Sequence, residues 1–134
     1  DKASKGTYEA YMVMTPNAST ISGNIKHNSI TQLDSGVIFR TRAVTAATTL
    51  NATDYILLVD SSGGAITVGL PNSASAGTTY IIKDVSGSAG TNNITLSASK
   101  ADIGEKIDNA DTAVLASDYG ALSITTDGRD WFIF

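Results

Sequence analysis

The chain has 134 residues, which is enough for one packed domain. Only 16% of them are charged and the net charge is −4, so the basic stripe that nucleic acids and anionic lipids attract is missing. No apolar run is long enough to span a membrane, and the absence of cysteine excludes disulfides and thiolate metal sites. We therefore expect neither a nucleic-acid partner nor membrane insertion.

From residue 36 onward, short β-branched runs alternate with Gly, Asn, Asp and Ser, a pattern that predicts an all-β fold. The runs recur at the spacing typical of an antiparallel β-sandwich or jelly-roll-like domain. We predict such a domain over residues 36–134. Its strands are, in chain order, 37–44, 55–60, 65–70, 78–85, 94–98, 113–117, 120–126 and 131–134.

Two glycine turns are predicted to close hairpins in this domain. Gly63 and Gly64 separate strands 55–60 and 65–70, and Asp127-Gly128 is a strong two-residue hairpin signal. The similar stretches ATDY at 52–55 and ASDY at 116–119 each precede one of these strand pairs. We interpret them as two similar hairpins of one sandwich rather than as a repeating coil, with chance similarity as the alternative.

Residues 1–35 lack the strand pattern of the later residues and are predicted to form an extended N-terminal segment. Their apolar side chains are widely scattered and follow no regular period, so the segment cannot build a core of its own. We expect it to lie between subunits and to help join them. The side chains concerned are Tyr8, Tyr11, Met12, Met14, Ile21, Ile25, Ile30 and Leu33.

The sequence predicts no catalytic centre. The single histidine, His27, lies in a polar stretch without a nucleophile motif, so a surface position is the better interpretation. Arg40 and Arg42 are expected on a solvated strand face. Trp131 and Phe134, in a terminal run that is apolar on both faces, are expected in the core or at a subunit interface rather than at a ligand site.

Among the remaining residues, only the carboxylates are grouped in a way that suggests catalysis or metal binding. Asp108 with Asp111, and Asp127 with Asp130, are close enough in sequence for glycosidase pairs, but turn chemistry explains them better. The loop 102–111 also contains Asp102, and a calcium site there stays open as an alternative. Because no EF-hand spacing is present, we predict no metal and no cofactor.

Five segments in order resemble a β-rich module near the C-termini of bacteriophage and prophage tail fibres and tail spikes. They are TDYILLVD at 53–60, AITVGLP at 65–71, YIIKD at 80–84, GTNNITL at 90–96 and DGRDWFI at 127–133. The resemblance covers about two thirds of the chain, from Arg42 to the end, and leaves residues 1–41 unmatched.

The resemblance implies a homotrimeric domain at the distal end of a fibre, on the virion and therefore extracellular. It implies a receptor-binding tip that attaches the particle to a host surface glycan or protein. The alternative is a purely structural virion domain for trimerisation or particle assembly, and a glycan depolymerase is a more distant third. Because receptor residues vary between members of such families, none is transferred to this chain.

Overall fold

The computed structural model describes residues 36–72, 74–98 and 104–134, and these form β-strands without any helix. The predicted all-β class is therefore confirmed for the described residues. The predictions on residues 1–35, including His27, and on Asp102 lie outside them. The strands are β1 (Thr41–Val44), β2 (Thr48–Thr49), β3 (Ile56–Val59), β4 (Ile66–Gly69), β5 (Thr79–Asp84), β6 (Ile94–Ser97), β7 (Thr112–Leu115), β8 (Ala121–Thr126) and β9 (Trp131–Ile133).

The strands form two mixed sheets, a five-stranded sheet in the order β1-β3-β5-β8-β9 and a four-stranded sheet in the order β2-β4-β6-β7. The first six strands alternate between the sheets, and neighbours among them are parallel. The chain thus makes three successive turns of a coil. The last three strands then return antiparallel and complete both sheets.

The prediction of an antiparallel domain is wrong for the β1–β3, β3–β5, β2–β4 and β4–β6 pairs. The turn at Gly63-Gly64 does not close a hairpin, because it carries the chain from β3 in one sheet to β4 in the other. Parallel neighbours require a crossover connection, and here a strand of the opposite sheet serves as that crossover. The second predicted hairpin, at Asp127-Gly128, is confirmed between β8 and β9.

One buried apolar cluster receives side chains from both sheets. Alternate residues of each strand point inward, as the period of a strand requires, and Leu57, Val68, Ile82, Leu96 and Ile124 are fully buried. Tyr80 and Trp131 are the largest buried side chains, and their ring centroids lie 5.8 Å apart. The core therefore depends on strands from the first turn of the coil to the last strand of the chain.

Arg42 does not lie on a solvated face, which corrects the prediction. It occupies the inward register of β1, opposite Leu57, and its guanidinium reaches toward the four-stranded sheet. There it donates to Thr48 Oγ1 (2.9 Å), to the Thr49 carbonyl (3.2 Å) and to both carboxylate oxygens of Asp54 (2.8 Å each). Burial acts to raise the pKa of Asp54, but the hydrogen bonds from Arg42 and the Asn51 N–H, together with the positive charges of Arg42 and Arg40, outweigh it, and the pKa is lowered. Arg42 thus links the two sheets at the first turn of the coil.

Candidate functional site

Three loops meet at one end of the two sheets. They are residues 61–64 between β3 and β4, 86–92 between β5 and β6, and 117–120 between β7 and β8. We call them together the three-loop surface. Their residues are chiefly Ser, Gly, Asn and Thr, with one tyrosine.

Hydrogen bonds between the loops hold this surface together. Ser61 N donates to Ser86 Oγ (3.2 Å), and Asn92 Nδ2 donates to the Ser61 carbonyl (2.8 Å). Gly90 N donates to Asp118 Oδ1 (2.8 Å), which joins the second loop to the third. The loops are therefore positioned by each other as well as by the strands they connect.

The carboxylate of Asp84, the last residue of β5, accepts hydrogen bonds from two of the loops. Asp84 is fully buried. Its Oδ1 accepts hydrogen bonds from Ser86 N (3.0 Å) and Ser86 Oγ (2.9 Å). Its Oδ2 accepts from the backbone N–H groups of Ser88 (3.0 Å), Ala89 (3.2 Å) and Tyr119 (3.0 Å). One side chain thus organises both the 86–92 and the 117–120 loops.

These hydrogen bonds keep Asp84 ionised. Burial acts to raise its pKa, because a charge is stabilised less away from water. The bonds from the Ala89 amide, the Ser86 side chain and the Tyr119 amide outweigh burial, and the pKa of Asp84 is lowered from 3.8 to about 2. The loops are consequently held by a full negative charge at neutral pH, and charge-assisted bonds are the stronger kind.

Tyr119 is the exposed aromatic side chain of the three-loop surface. Its side chain is 64% exposed, while its backbone has a φ of +54°. That left-handed conformation disfavours a residue with a Cβ and persists only where the surroundings fix it. Here the Tyr119 N–H is held by Asp84 and its carbonyl accepts a hydrogen bond from Lys83 Nζ. An apolar ring is therefore held toward solvent by a rigid backbone.

The Tyr119 ring packs against the backbone of Gly87. A Cβ added to Gly87 would lie 2.4 Å from Cζ of Tyr119, and the φ of Gly87 is +68°. A side chain at this position would displace the Tyr119 ring, and the left-handed backbone favours glycine. One side of the Tyr119 ring is thus backed by the 86–92 loop.

We expect Gly87→Ala to displace Tyr119 and to lower the free energy of unfolding by at least about 1 kcal/mol, measured by urea denaturation. Gly63→Ala is the matched control on the same surface, because nothing lies within 4 Å of an added Cβ there. Equal stability of the two variants would contradict this account of Gly87.

A cleft of about 480 Å³ lies away from this surface, between the β2–β3 and β4–β5 loops. Its lining includes Leu50, Asn51, Pro71, Thr78 and Tyr80, and none of the described lining residues is charged. Tyr80 is almost fully buried and its hydroxyl donates to the Asn51 carbonyl (3.2 Å), so its ring offers no face to a ligand. For that reason we take the three-loop surface as the candidate site.

The carboxylates singled out from the sequence have structural partners. Asp127 Oδ1 accepts from the N–H groups of Arg129 and Asp130 (2.8 Å each), which is the turn chemistry predicted for it. Asp108 accepts from Ile133 N (3.3 Å), and Asp111 pairs with Lys106 Nζ (2.5 Å). Within residues 36–72, 74–98 and 104–134, no three His, Asp or Glu side chains are grouped so that they could hold a metal ion.

Trp131 is fully buried, as predicted, and its Nε1–H donates to Glu105 Oε1 (2.8 Å). Phe134 is 74% exposed in the single chain. Its expected place at a subunit interface therefore stays a prediction.

Asp84 and Tyr119, the two residues that define the site, were not singled out from the sequence. Asp84 follows an apolar strand and precedes a Ser- and Gly-rich loop, a context in which a carboxylate commonly accepts backbone N–H groups. Tyr119 directly precedes Gly120, but nothing in the sequence indicates its exposure or its positive φ.

No protein-family model matches the chain, and comparison with curated proteins finds no match. In the part of the chain that the structure describes, no helix is long and apolar enough to cross a membrane.

Proposed function

We propose that this chain is a receptor-binding domain of a phage-type tail fibre or tail spike, which attaches the particle to a host surface glycan or protein. The observation that carries the proposal is Tyr119, an exposed aromatic ring fixed by Asp84 and Gly87 among Ser, Gly and Asn loops. The same combination of a rigid aromatic anchor and small polar side chains characterises antibody binding loops.

A saccharide is the receptor class that this surface favours. The open side of the Tyr119 ring suits the apolar C–H face of a sugar, and hydroxyl and amide groups surround it. Asp118 uses Oδ1 for Gly90 N, and Oδ2 has no hydrogen bond among the described residues. That oxygen is available to accept from a sugar hydroxyl.

The remaining parts of the proposal concern assembly and location. We propose a homotrimer on the virion, extracellular when mature, whose two sheets pack as a sandwich around the shared core. The domain binds and does not catalyse, and it needs no cofactor. A trimer presents three copies of a weak site, so that avidity raises the overall affinity.

A purely structural virion domain is the second candidate function. Two large apolar side chains on the outer side of the five-stranded sheet favour it, Ile81 of β5 and Phe132 of β9, although Ser123 and Thr125 of β8 lie between them. A glycan array and a cell-adsorption assay separate the two functions, since a structural domain gives no signal in either.

Tyr119→Ala is expected to weaken glycan or cell binding by about tenfold or more, because an aromatic contact at the centre of a binding site contributes at least about 1.4 kcal/mol. Tyr119→Phe is the matched control, since it keeps the ring and removes only the hydroxyl, and it is expected to retain most of the affinity. Binding that survives Tyr119→Ala unchanged, with the fold intact by circular dichroism, refutes the proposed site.

A further inference from the structure

The charges around the three-loop surface are mostly negative. The three loops, with the two residues on either side of each, contain Asp60, Asp84 and Asp118 and no Lys, Arg or His. The basic residue nearest to these loops in the sequence is Lys83, whose ammonium group is hydrogen-bonded to the Tyr119 carbonyl. Three aspartates against one lysine leave this end of the sheets net negative, so a ligand that approaches Tyr119 meets a negative potential.

Asp118 is the aspartate of this group that faces solvent. Asp84 is buried among hydrogen-bond donors and Asp60 is half-buried, whereas Asp118 is exposed. The Oδ1 of Asp118 accepts from Gly90 N (2.8 Å), which fixes the carboxylate in position. Among the described residues, Asp118 Oδ2 has no hydrogen bond and no Lys or Arg forms a salt bridge with it. The negative charge of Asp118 is therefore both fixed and open to a ligand.

The carboxylate of Asp118 and the ring of Tyr119 lie against the same loop. The ring packs on Gly87, and the carboxylate is bonded to Gly90, three residues further along. Three residues of chain span at most about 10 Å. The turn hydrogen bonds within the 86–92 loop shorten that distance. A sugar stacked on the Tyr119 ring, or the next sugar of an oligosaccharide, therefore comes within about one Debye length, ~8 Å, of the Asp118 carboxylate.

We propose that the three-loop surface takes saccharides without acidic groups, and that Asp118 is the residue that determines this selectivity. The inference rests on the proposed function and names the saccharide class of the same site. The free Oδ2 of Asp118 accepts a hydroxyl or an ammonium group, but a sugar carboxylate has no proton to donate to it at neutral pH. The two carboxylates also repel each other. Neutral and amine-bearing sugars therefore suit this site, and sialic and uronic acids do not.

The expected size of the selectivity follows from Coulomb repulsion at a protein surface. Like charges about 6 Å apart there repel each other enough to change an affinity roughly threefold to tenfold. An oligosaccharide with a carboxylate beside the stacked sugar should therefore bind about threefold to tenfold more weakly than its neutral counterpart. Because Asp118 is exposed, this ratio should shrink as the salt concentration rises from about 20 mM to about 500 mM. Exclusion of acidic sugars by shape alone does not depend on salt.

The test is a glycan array, probed with the full chain, in which each neutral oligosaccharide has a counterpart that carries sialic or uronic acid. Asp118→Asn keeps an acceptor oxygen for Gly90 N and removes the charge, so it should bring the two series within about twofold of each other. Asp111→Asn is the matched control, because it removes the charge of an exposed aspartate that precedes β7, whereas Asp118 follows that strand. A wild-type preference for the acidic series, a ratio that does not depend on salt, or equal ratios in the two variants overturns the proposal.

Tyr119→Ala, tested on the same array and in cell adsorption, separates this inference from the proposed function. If acidic glycans bind as tightly as neutral ones and Tyr119→Ala abolishes both, the receptor function stands and the selectivity fails. If cells adsorb the protein through Tyr119 while no glycan binds, the receptor is not a saccharide, and again only this inference fails. Protein that binds neither glycans nor cells removes both.

Discussion

Trp131→Ala is expected to lower the free energy of unfolding by about 3–5 kcal/mol, a large share of the roughly 5–15 kcal/mol that stabilises a typical domain. Trp131 is fully buried and packs against Tyr80, so truncation opens a large cavity in the core. It also removes the N–H that Glu105 Oε1 accepts. Glu105 is itself buried and its Oε2 has no hydrogen-bond partner among the described residues, so the carboxylate loses its one bond from this part of the chain.

Trp131→Phe is the milder variant. Phenylalanine keeps an aromatic ring in the core but loses the hydrogen bond to Glu105 and part of the buried indole, so we expect a smaller loss of about 1–3 kcal/mol. Urea denaturation of both variants measures the free energies of unfolding. If Trp131→Ala unfolds at the same urea concentration as wild type, the terminal strand does not contribute to the core as described.

Phe132 belongs to the same strand but has a different environment. Phe132→Ala is expected to lower the free energy of unfolding as much as Trp131→Ala only if the Phe132 side chain is buried. In the single chain Phe132 is 42% exposed. The terminal run thus splits by strand alternation, with Trp131 facing the core and Phe132 facing outward. The sequence could not show this split, because both residues are large and aromatic.

The positions of the strands could be predicted from the sequence, but their partners could not. Short apolar or β-branched runs bounded by turn residues mark β3, β5 and β8, and in the structure burial alternates along each of these strands because one face lies in the core. The same alternation arises beside a parallel or an antiparallel neighbour. Gly63-Gly64 therefore reads as a hairpin although it connects two sheets.

The candidate site could likewise be predicted only in part from the sequence. The sequence reveals which loops are rich in Ser and Gly, but not that loops 61–64, 86–92 and 117–120 converge, since that depends on which sheet each strand joins. Arg42 is a second case, because its inward position follows from its register against β3. An arginine at strand spacing looks solvated until an acidic partner such as Asp54 is placed beside it.

The second large effect is expected at Asp84. Asp84→Ala removes the acceptor of hydrogen bonds from Ser86, Ser88, Ala89 and Tyr119. We expect a loss of about 3–5 kcal/mol, because buried donors left without a partner each cost about 1–3 kcal/mol and the loop donors regain water only in part. Asp60→Ala is the control, since Asp60 accepts from Ser62 N at the same end of the sheets but is partly exposed. That variant is expected to change the free energy of unfolding much less than Asp84→Ala does, because water replaces the bonds of a solvent-accessible carboxylate.

The lowered pKa of Asp84 predicts how the free energy of unfolding depends on pH. Its pKa is lowered from 3.8 to about 2 in the folded protein, so the unfolded chain binds more protons between these values. The contribution of Asp84 is therefore fully present above about pH 4 and is lost as the pH falls through about 2, a change on the order of 2 kcal/mol. Unfolding measured from pH 5 downward is expected to show this loss in wild type.

Asp84→Asn isolates that contribution, because the amide keeps one acceptor oxygen and does not titrate in this range. The pKa values of Asp54, Asp60 and Asp127 are also lowered, and they give an acid-induced loss of the same sign in both proteins. The difference between wild type and Asp84→Asn should therefore shrink as the pH falls from 4 to 2. If the difference stays constant over that interval, Asp84 does not hold the loops as an ionised group. The same carboxylate accepts the hydrogen bond from the Tyr119 N–H. Receptor binding by Asp84→Asn should therefore weaken even at neutral pH. The stability of the loops and the proposed function thus depend on the same residue.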